Sequence, residues 1–307
     1  MVTKVAVTTT TFCEHDLRPL DLLKSAGYHV ILNPHARKLK MEEVVSVAKD
    51  AVGIIAGLEE YRSDTFNRLT NLKVISRVGV GLDNIDVQAA SKANVKVFST
   101  PDAVTTSVAE LTVGLMLNLV RNVCRLDASV KKGDWERKAG NLLSKKNVGI
   151  IGFGRIGKKV ASLLSGFNCC LYYYDPNVDF SSSNNVKRCA NLYELLNLSD
   201  IVSLHCQPLP NNQPLLSTQE FKTMKRGSWL INTSRGSLVD ENVLSEALKS
   251  GNLEGAALDV FNDEPYKGPL SNFDNVILTP HIGSYARESR IAMEMEAVQN
   301  LLKGLEE

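Results

Sequence analysis

The sequence predicts an α/β fold with two doubly wound parallel sheets. Short apolar segments alternate with helical segments along the chain, and they fall into two consecutive series, the second of which begins at residue 147. The apolar segments lack strict alternation of apolar and polar residues, which is typical of strands covered on both faces. A length of 307 residues also suits two compact domains.

Eleven segments are predicted to be strands. The first series contains KVAVTT (4–9), YHVIL (28–32), VGIIA (52–56), LKVIS (72–76) and VKVFS (95–99). The second contains NVGIIG from 147, CCLYYYD (169–175), DIVSLH (200–205), SWLINT (228–233), GAALDV (255–260) and NVILTP (275–280). Helix candidates such as PLDLLKSAG lie between the strands, and its final glycine suits a helix C-terminus. The segment DFSSSNN (179–185) is expected to be a surface loop.

Two long helices are predicted, one between the two series and one after the second. Residues 105–132 have a wide apolar face and no internal proline, so we expect one helix that bridges both domains. The amphipathic stretch from Ser284 follows the last strand and is expected to pack back on the first domain. The predicted domains are therefore 1–102 with 284–307, and 103–283.

Composition excludes several classes of protein. The hydrophobic fraction of 44% and charged fraction of 22% are typical of a soluble enzyme. Lys+Arg 35 against Asp+Glu 34 leaves no basic excess for nucleic acid, and no apolar run is long enough to span a membrane. The six cysteines lack CxxC spacing, which favours reduced thiols over disulfides or a metal site. With no cleavable signal at the N-terminus, a cytoplasmic location is expected.

A glycine motif indicates a dinucleotide site. Gly152, Gly154 and Gly157 form GxGxxG after a predicted strand and before a predicted helix. The first glycine permits the tight turn, the second admits a pyrophosphate, and the third allows the helix to pack closely on the strand. Asp175 ends the next strand, where a carboxylate would bind the adenosine ribose and repel a 2′-phosphate. The predicted cofactor is NAD.

Three ionisable residues follow consecutive predicted strands. They are Arg235, Glu264 and His281. Each residue taken alone has an ordinary structural explanation. Arg235 could be a solvated turn residue, and Glu264 could be a carboxylate at the start of a helix. His281 could cap the chain reversal after Pro280. Ligands of such sheets bind beyond the carboxyl ends of the strands, so together the three are expected to face the nicotinamide.

Taken together, these motifs resemble the D-isomer-specific 2-hydroxyacid dehydrogenases over essentially the whole chain. The resemblance rests on GxGxxG, Asp175, LINTSRGSLVDENVL, GAALDVFNDEP and LTPHIGS. SRVGVGLDNID (76–86) and TSVAELTVGLML (106–117) are most similar to the phosphoglycerate dehydrogenase branch. The resemblance implies a Rossmann-type cofactor domain inserted in a flavodoxin-like substrate domain. Residues 1–102 would then form part of the substrate domain.

The resemblance also implies roles for single residues. His281 would be the acid/base, Glu264 would raise the pKa of that histidine and fix its tautomer, and Arg235 would bind the substrate carboxylate. The implied cofactor contacts include Thr106, Arg155, Ile156, Asp175, His205, Thr233, Asp259, His281 and Gly283. One departure is Gln207, which stands where the family usually has proline. The contacts of that loop with the nicotinamide ribose therefore stay open.

The substrate is less sharply indicated. Backbone amides of Val78, Gly79, Val80 and Gly81 would bind the substrate carboxylate by resemblance, while Arg77 and Arg137, the latter from a neighbouring subunit, would bind a phosphate. Against a phosphorylated acid, Ala56 replaces a further arginine of that branch, and Glu59 and Glu60 add negative charge that Arg62 would have to offset. The expected activity is that of a phosphoglycerate dehydrogenase, as in serine biosynthesis. The alternative is a glyoxylate, hydroxypyruvate or D-lactate-type reductase.

The sequence also leaves alternative functions open and predicts an oligomeric state. A non-enzymatic NAD-sensing scaffold on the same fold is the alternative outside enzymes, and phosphite dehydrogenase keeps similar residues. The apolar face of the helix at 105–123 predicts a homodimer, as in the family. The chain ends at Glu307 without the regulatory domains of some phosphoglycerate dehydrogenases, so serine feedback is not expected.

Overall fold

The computed structural model describes residues 3–178 and 186–306. The loop expected at 179–185 lies outside the described residues. The chain folds as two compact units. The chain up to Val104 and from Ser284 onward forms the first, and Thr105–Gly283 forms the second.

Regular elements alternate along both units. Those before residue 105 are β1 (Lys4–Val7), α1 (Arg18–Ser25), β2 (His29–Leu32), α2 (Met41–Ala48), β3 (Ala51–Ala56), α3 (Ser63–Arg68), β4 (Val74–Arg77), α4 (Val87–Lys92) and β5 (Lys96–Phe98). Those from 105 to 283 are α5 (Thr105–Arg121), α6 (Val123–Lys131), β6 (Asn147–Ile151), α7 (Arg155–Leu164), β7 (Cys170–Tyr174), β8 (Val186–Arg188), α8 (Leu192–Leu198), β9 (Ile201–Leu204), α9 (Thr218–Thr223), β10 (Ser228–Asn232), α10 (Glu241–Lys249), β11 (Leu253–Leu258) and β12 (Val276–Leu278). The final helix is α11 (Arg287–Glu306).

The first unit is built on a parallel sheet of five strands in the order β2-β1-β3-β4-β5. This is the flavodoxin-like order. Helix α11 packs against β3, β4, β5 and α1, as the sequence predicted for the C-terminal stretch. Its residues Met293, Ala297, Val298 and Leu301 are fully buried, so the helix completes the core of this unit.

The second unit is built on a parallel sheet of seven strands in the order β12-β11-β10-β9-β6-β7-β8. The strand order reverses between β6 and β9, as in Rossmann-type domains. Hydrophobic clusters cover both faces of the sheet. That coverage explains the continuous apolar runs of strands such as β6 and β9, whose residues are almost all buried. The predicted fold class is confirmed.

Two local expectations were wrong or incomplete. The single helix predicted for 105–132 is two helices, because Asn122 between them has a left-handed backbone with φ 55°. Asparagine tolerates that conformation better than most residues, so an apolar pattern can continue across a break in the helix. Strand β8 was not predicted, since only three residues with two exposed side chains form it at the sheet edge.

Three further classes of feature bear on function. No helix in the described part of the chain is long and apolar enough to cross a membrane. Across residues 3–178 and 186–306, no group of three or more His, Cys, Asp or Glu side chains could hold a metal ion. All six cysteines are free thiols.

Candidate active site

The carboxyl edge of the seven-stranded sheet carries most of the residues singled out in the sequence. Six of them follow six different strands: Gly152, Asp175, His205, Arg235, Glu264 and His281. The first three follow the strands at and beside the reversal of strand order, and the last three follow β10, β11 and β12, which are neighbours. Ligands of doubly wound sheets bind at this edge, next to the reversal. The fold therefore brings the two groups to one edge of the second unit.

His281 and Glu264 form a hydrogen-bonded pair. His281 Nδ1 lies 2.9 Å from Glu264 Oε2 and 3.2 Å from Oε1. Burial raises the pKa of the Glu264 carboxyl, but the hydrogen bond and charge of His281, the amide of Phe261 and the charge of Arg235 outweigh it, and the pKa lies below its usual value. Glu264 is thus an anion near neutral pH. Since Nδ1 is engaged, Nε2 is the ring nitrogen through which His281 can exchange a proton.

A buried aspartate shapes the turn that presents His281. Asp259 is only 1% exposed. Its Oδ1 accepts hydrogen bonds from the Thr279 hydroxyl at 2.6 Å and the Ile282 amide at 2.8 Å, and its Oδ2 accepts one from the Gly283 amide at 2.7 Å. Within this turn His281 has φ 55°, a left-handed backbone that is uncommon for histidine. Such conformations persist only where surrounding contacts fix them, and they cluster at functional sites.

Arg235 lies in the loop after β10, and Glu264 lies in the loop after the neighbouring strand β11. Its Nη1 donates to the Ser234 carbonyl at 2.8 Å, and its own carbonyl accepts from Asn232 Nδ2 at 2.9 Å. Its positive charge contributes to the lowered pKa of Glu264, after the larger effects of His281 and the Phe261 amide. A planar guanidinium at the same sheet edge as a His–Glu pair is suited to binding a small carboxylate.

The glycine motif has the geometry its sequence predicts. Gly152 is buried with φ 88°, and a Cβ there would come within 2.6 Å of the His205 carbonyl carbon and the Cys206 nitrogen. A Cβ on Gly157 would overlap the Gly152 carbonyl oxygen, so helix α7 needs glycine there to start against the strand. Gly154 is exposed and faces open space. These positions form a cradle at a helix N-terminus that accommodates a pyrophosphate.

Asp175 is hydrogen-bonded to the glycine motif. Its Oδ2 accepts the Phe153 amide at 2.8 Å and its Oδ1 accepts the Asn177 amide at 2.9 Å. Each carboxylate oxygen has a second lone pair, so these bonds orient the side chain and leave acceptors for ribose hydroxyls.

His205, directly after β9, has a buried polar atom without a partner among the described residues. Its Nε2 lies 2.8 Å from the Ser203 hydroxyl, while Nδ1 is buried without a hydrogen-bond partner among the described residues. Burial lowers the pKa of His205 to about 3, so the ring is neutral at physiological pH. An unsatisfied buried nitrogen is costly, and a polar group of a bound dinucleotide would satisfy it. The cradle and this nitrogen both fit a dinucleotide cofactor.

The remaining predicted cofactor residues are spread along the second unit. Thr106 and Arg155 are exposed in the first turns of α5 and α7, and Ile156 is half-buried beside Arg155. Thr233 is 8% exposed, and its hydroxyl lies 2.9 Å from that of Thr112.

The first unit holds the predicted substrate loop. Arg77 ends β4, and its guanidinium lies so close over Gly79 (φ 144°) that a Cβ there would overlap it. The Gly79 amide donates to Thr100 Oγ1 at 2.8 Å. Val78 is buried and Val80 is 40% exposed.

Acidic residues after β3 differ from one another in environment. Glu59 is 1% exposed, and its Oε2 accepts the Gly57 amide at 2.9 Å and the Thr8 hydroxyl at 3.1 Å. Burial raises the pKa of this carboxyl. Glu60 instead lies on the surface, 3.6 Å from Arg62 Nε. Arg62 is therefore occupied by an exposed carboxylate, and Glu59 serves the interior of the unit.

Arg137 belongs to the second unit and is exposed in the segment that follows α6. The fold places Arg77 and Arg137 in different units.

The structure gives three residues of the site contacts that the sequence does not predict. Asp259 was taken as a cofactor contact, and the structure shows it bonded to the His281 turn. Gly236 and Glu241 were not singled out, although both contact the loop that carries Glu264. The only sequence signal for them is position: one follows Arg235 directly, and the other opens the next helix.

Comparison with known proteins decides the family. Residues 113–283, more than half of the chain, match the family described as D-isomer specific 2-hydroxyacid dehydrogenase, NAD binding domain. The chain belongs to this family. Its second unit is an NAD-binding domain.

Individual members differ in the acid they are named for. A D-3-phosphoglycerate dehydrogenase from Methanocaldococcus jannaschii is 39% identical over 278 residues, which cover 88% of this chain and 53% of that protein. A hydroxypyruvate reductase from Thermotoga maritima is 36% identical, covering 87% of this chain and 89% of that protein. A crystal structure of a protein from Thermus thermophilus superposes with a TM-score of 0.92 at 35% identity, covering 99% of this chain and 97% of that one. The chain spans about half the length of the phosphoglycerate dehydrogenases it matches.

Proposed function

We propose that this chain is an NAD-dependent oxidoreductase that interconverts a D-2-hydroxy acid and its 2-oxo acid. The observation that carries the proposal is the His281–Glu264 pair, 2.9 Å apart, with Arg235 in the loop after the adjacent strand β10 of the same sheet. Membership of the 2-hydroxyacid dehydrogenase family supports the same reaction.

Each of the three residues has a distinct task in this proposal. Reduction of a 2-oxo acid develops negative charge on the carbonyl oxygen, and bound NADH supplies the hydride. His281 delivers a proton to that oxygen from Nε2, while Glu264 holds the ring through Nδ1 and balances its positive charge. Arg235 binds the substrate carboxylate and 2-oxygen with its fork of donors.

The proposed cofactor site uses the cradle and its surroundings. Gly152, Gly154, Arg155, Ile156 and Gly157 would hold the pyrophosphate at the start of α7. The other proposed contacts are Thr106, Asp175, His205, Thr233, Asp259 and Gly283. The last two act through the turn that their hydrogen bond closes.

NADH oxidation with a panel of substrates tests the proposed reaction. Glyoxylate, pyruvate, hydroxypyruvate and 3-phosphohydroxypyruvate are each mixed with protein and NADH, and absorbance at the NADH band is followed. Phosphite with NAD is the control for the related oxidation. We expect turnover with at least one 2-oxo acid. Binding of NADH without turnover of any acid would instead favour an NAD-sensing scaffold.

For the substrate, we propose 3-phosphohydroxypyruvate and 3-phosphoglycerate. Arg77 beside the Val78–Gly81 loop supports an anionic group on the substrate, and Arg137 is a second exposed cation that a partner subunit could contribute. Similarity to phosphoglycerate dehydrogenases supports the same choice.

An unphosphorylated acid is the second candidate. Ala56, which ends β3 and is fully buried, stands where phosphoglycerate dehydrogenases often have a further arginine, and Arg62 is paired with Glu60. Both observations reduce the positive charge available to a phosphate.

Comparison of two substrates separates these candidates. A phosphate-selective site should give a kcat/KM for 3-phosphohydroxypyruvate at least tenfold above that for hydroxypyruvate, about 1.4 kcal/mol of transition-state stabilisation. Arg77→Ala should remove that preference. Equal kcat/KM for the two acids in the wild type would contradict the phosphoglycerate proposal and leave the general dehydrogenase standing.

Asp175 should determine cofactor choice. Asp175→Ala removes the acceptors for the ribose hydroxyls and the charge that repels a 2′-phosphate, so the Kd for NADH should rise while that for NADPH falls. Fluorescence titration with both cofactors measures the change, with exposed Asp263→Ala as control. A wild-type preference for NADPH would show that our interpretation of Asp175 is wrong.

We also propose a homodimer, but the supporting surface differs from the one predicted from the sequence. The apolar face of α5, expected to be uncovered, is largely buried, and exposed apolar side chains lie instead on α6 and after it. Trp135 is 78% exposed and Leu142 is 72% exposed. Exposed apolar groups close together in sequence favour an interface. Light scattering at micromolar concentration should give about twice 33.7 kDa, and a monomer mass would refute the dimer.

A further inference from the structure

The loop that carries Arg235 and the loop that carries Glu264 touch through their backbones. Gly236, directly after Arg235, is buried at the start of a short 3-10 helix, Gly236–Leu238. A Cβ at this position would overlap the carbonyl carbon and oxygen of Phe261 and the amide nitrogen of Asn262. Backbone next to Arg235 therefore lies against backbone two and three residues before Glu264. All of these residues belong to the second unit.

A carboxylate at the start of α10 also bonds to the loop that carries Glu264. Glu241, the first residue of α10, accepts the Asn262 amide on Oε1 at 2.9 Å. The neighbouring Asp240 caps α10 itself, accepting the amides of Asn242 and Val243. The Glu241 side chain is thus not needed to cap its own helix, and it anchors the loop after β11 to the helix that follows the Arg235 loop.

The Glu264 loop is also fixed internally. The Phe261 amide donates to Glu264 Oε1 at 3.1 Å, the oxygen that lies 3.2 Å from His281 Nδ1. Phe261 is 8% exposed and its ring stacks on that of Tyr266 with centroids 4.3 Å apart. A displacement at Phe261 or Asn262 is therefore transmitted to the carboxylate that holds the histidine.

We infer that Gly236 and Glu241 are positioning residues: they fix the distance between the Arg235 guanidinium and the Glu264–His281 pair. The inference rests on the proposed function, in which one group binds the carboxylate and the other protonates the adjacent carbonyl. Proton and hydride transfer require near-attack geometry, and a misplacement of about 1 Å can cost roughly a hundredfold in rate. Neither residue touches the substrate in this scheme.

Gly236→Ala is the stronger test, because the atoms it would meet are backbone and cannot rotate away. We expect kcat to fall at least tenfold, while the Kd for NADH stays within twofold, since the glycine cradle and Asp175 follow other strands. Gly166→Ala makes the same change in the same unit, where an added Cβ meets nothing within 4 Å, and should keep wild-type kcat.

Glu241 supplies an independent pair of variants. Glu241→Ala loses the acceptor for the Asn262 amide, whereas Glu241→Gln keeps an acceptor oxygen and loses only the charge. We expect kcat to fall at least threefold in Glu241→Ala and to stay within twofold of wild type in Glu241→Gln, with Tm nearly equal in the two. This pair decides the question even if Gly236→Ala does not fold.

Three results would overturn the inference. The first is a Gly236→Ala enzyme with more than half of the wild-type kcat. The second is a parallel loss of kcat, NADH affinity and Tm in that variant, which would indicate general damage. The third is equal kcat in the two Glu241 variants. A wild type inactive toward every 2-oxo acid would contradict the proposed function and this inference with it, whereas an active wild type with unaffected variants contradicts the inference alone.

Discussion

Replacing His281 by alanine should lower kcat for 2-oxo acid reduction by roughly a hundredfold or more, because a positioned general acid contributes about that much. The ring is held by Glu264 at 2.9 Å through Nδ1, so Nε2 is its available proton donor. The proton is delivered in the transition state, so the variant should still bind NADH. Stopped-flow single-turnover rates and a fluorescence titration with NADH measure the two quantities.

The backbone at His281 calls for a second variant. With φ 55°, alanine is itself disfavoured at this position, whereas asparagine tolerates a left-handed backbone and still cannot act as an acid near neutral pH. His281→Asn should lose as much rate as His281→Ala, and exposed His29→Ala should lose none. If either His281 variant retained more than a tenth of the wild-type kcat, His281 would not be the proton donor.

Arg235→Lys should give the second-largest loss, a fall of at least about thirtyfold in kcat/KM for the 2-oxo acid. Lysine keeps the charge but cannot present two parallel donors to a carboxylate, and a hydrogen bond to a charged group contributes about 1.5–3 kcal/mol. NADH binding should not change, because the cradle follows β6 on the other side of β9. Exposed Arg226→Lys, in the same unit, is the matched control. A loss of less than threefold would show that Arg235 does not hold the carboxylate bidentately.

The parts of the fold that follow from local pattern were predictable from sequence. Buried parallel strands read as continuous apolar runs, and the glycine spacing specifies a tight turn and a close helix start, so the sheets and the cradle were both expected. The break at Asn122 was not, because a single left-handed residue leaves the apolar periodicity on either side intact. Short β8 at the sheet edge carries too few apolar residues to be recognised.

For the candidate site, too, the sequence predicts which residues come together but not the contacts that hold them in place. Parallel strands end at one edge, so the order of Arg235, Glu264 and His281 along the chain was enough to place them together. What holds them there depends on contacts between distant segments. Asp259 bonds to a turn more than twenty residues later, and Glu241 bonds to an amide twenty-one residues later. No periodicity or motif encodes such pairings, and they emerge only when the loops are folded.

Chirality of the product tests the central claim most directly. The wild-type protein is incubated with NADH and the best-reduced 2-oxo acid that gives a chiral product, and the hydroxy acid formed is resolved by chiral chromatography against both enantiomers. We predict that one D-2-hydroxy acid forms for each NADH consumed, and that His281→Asn forms none above background. Formation of the L-enantiomer, a racemate, or no hydroxy acid while NADH binds would contradict the assignment of this chain as a D-2-hydroxyacid dehydrogenase.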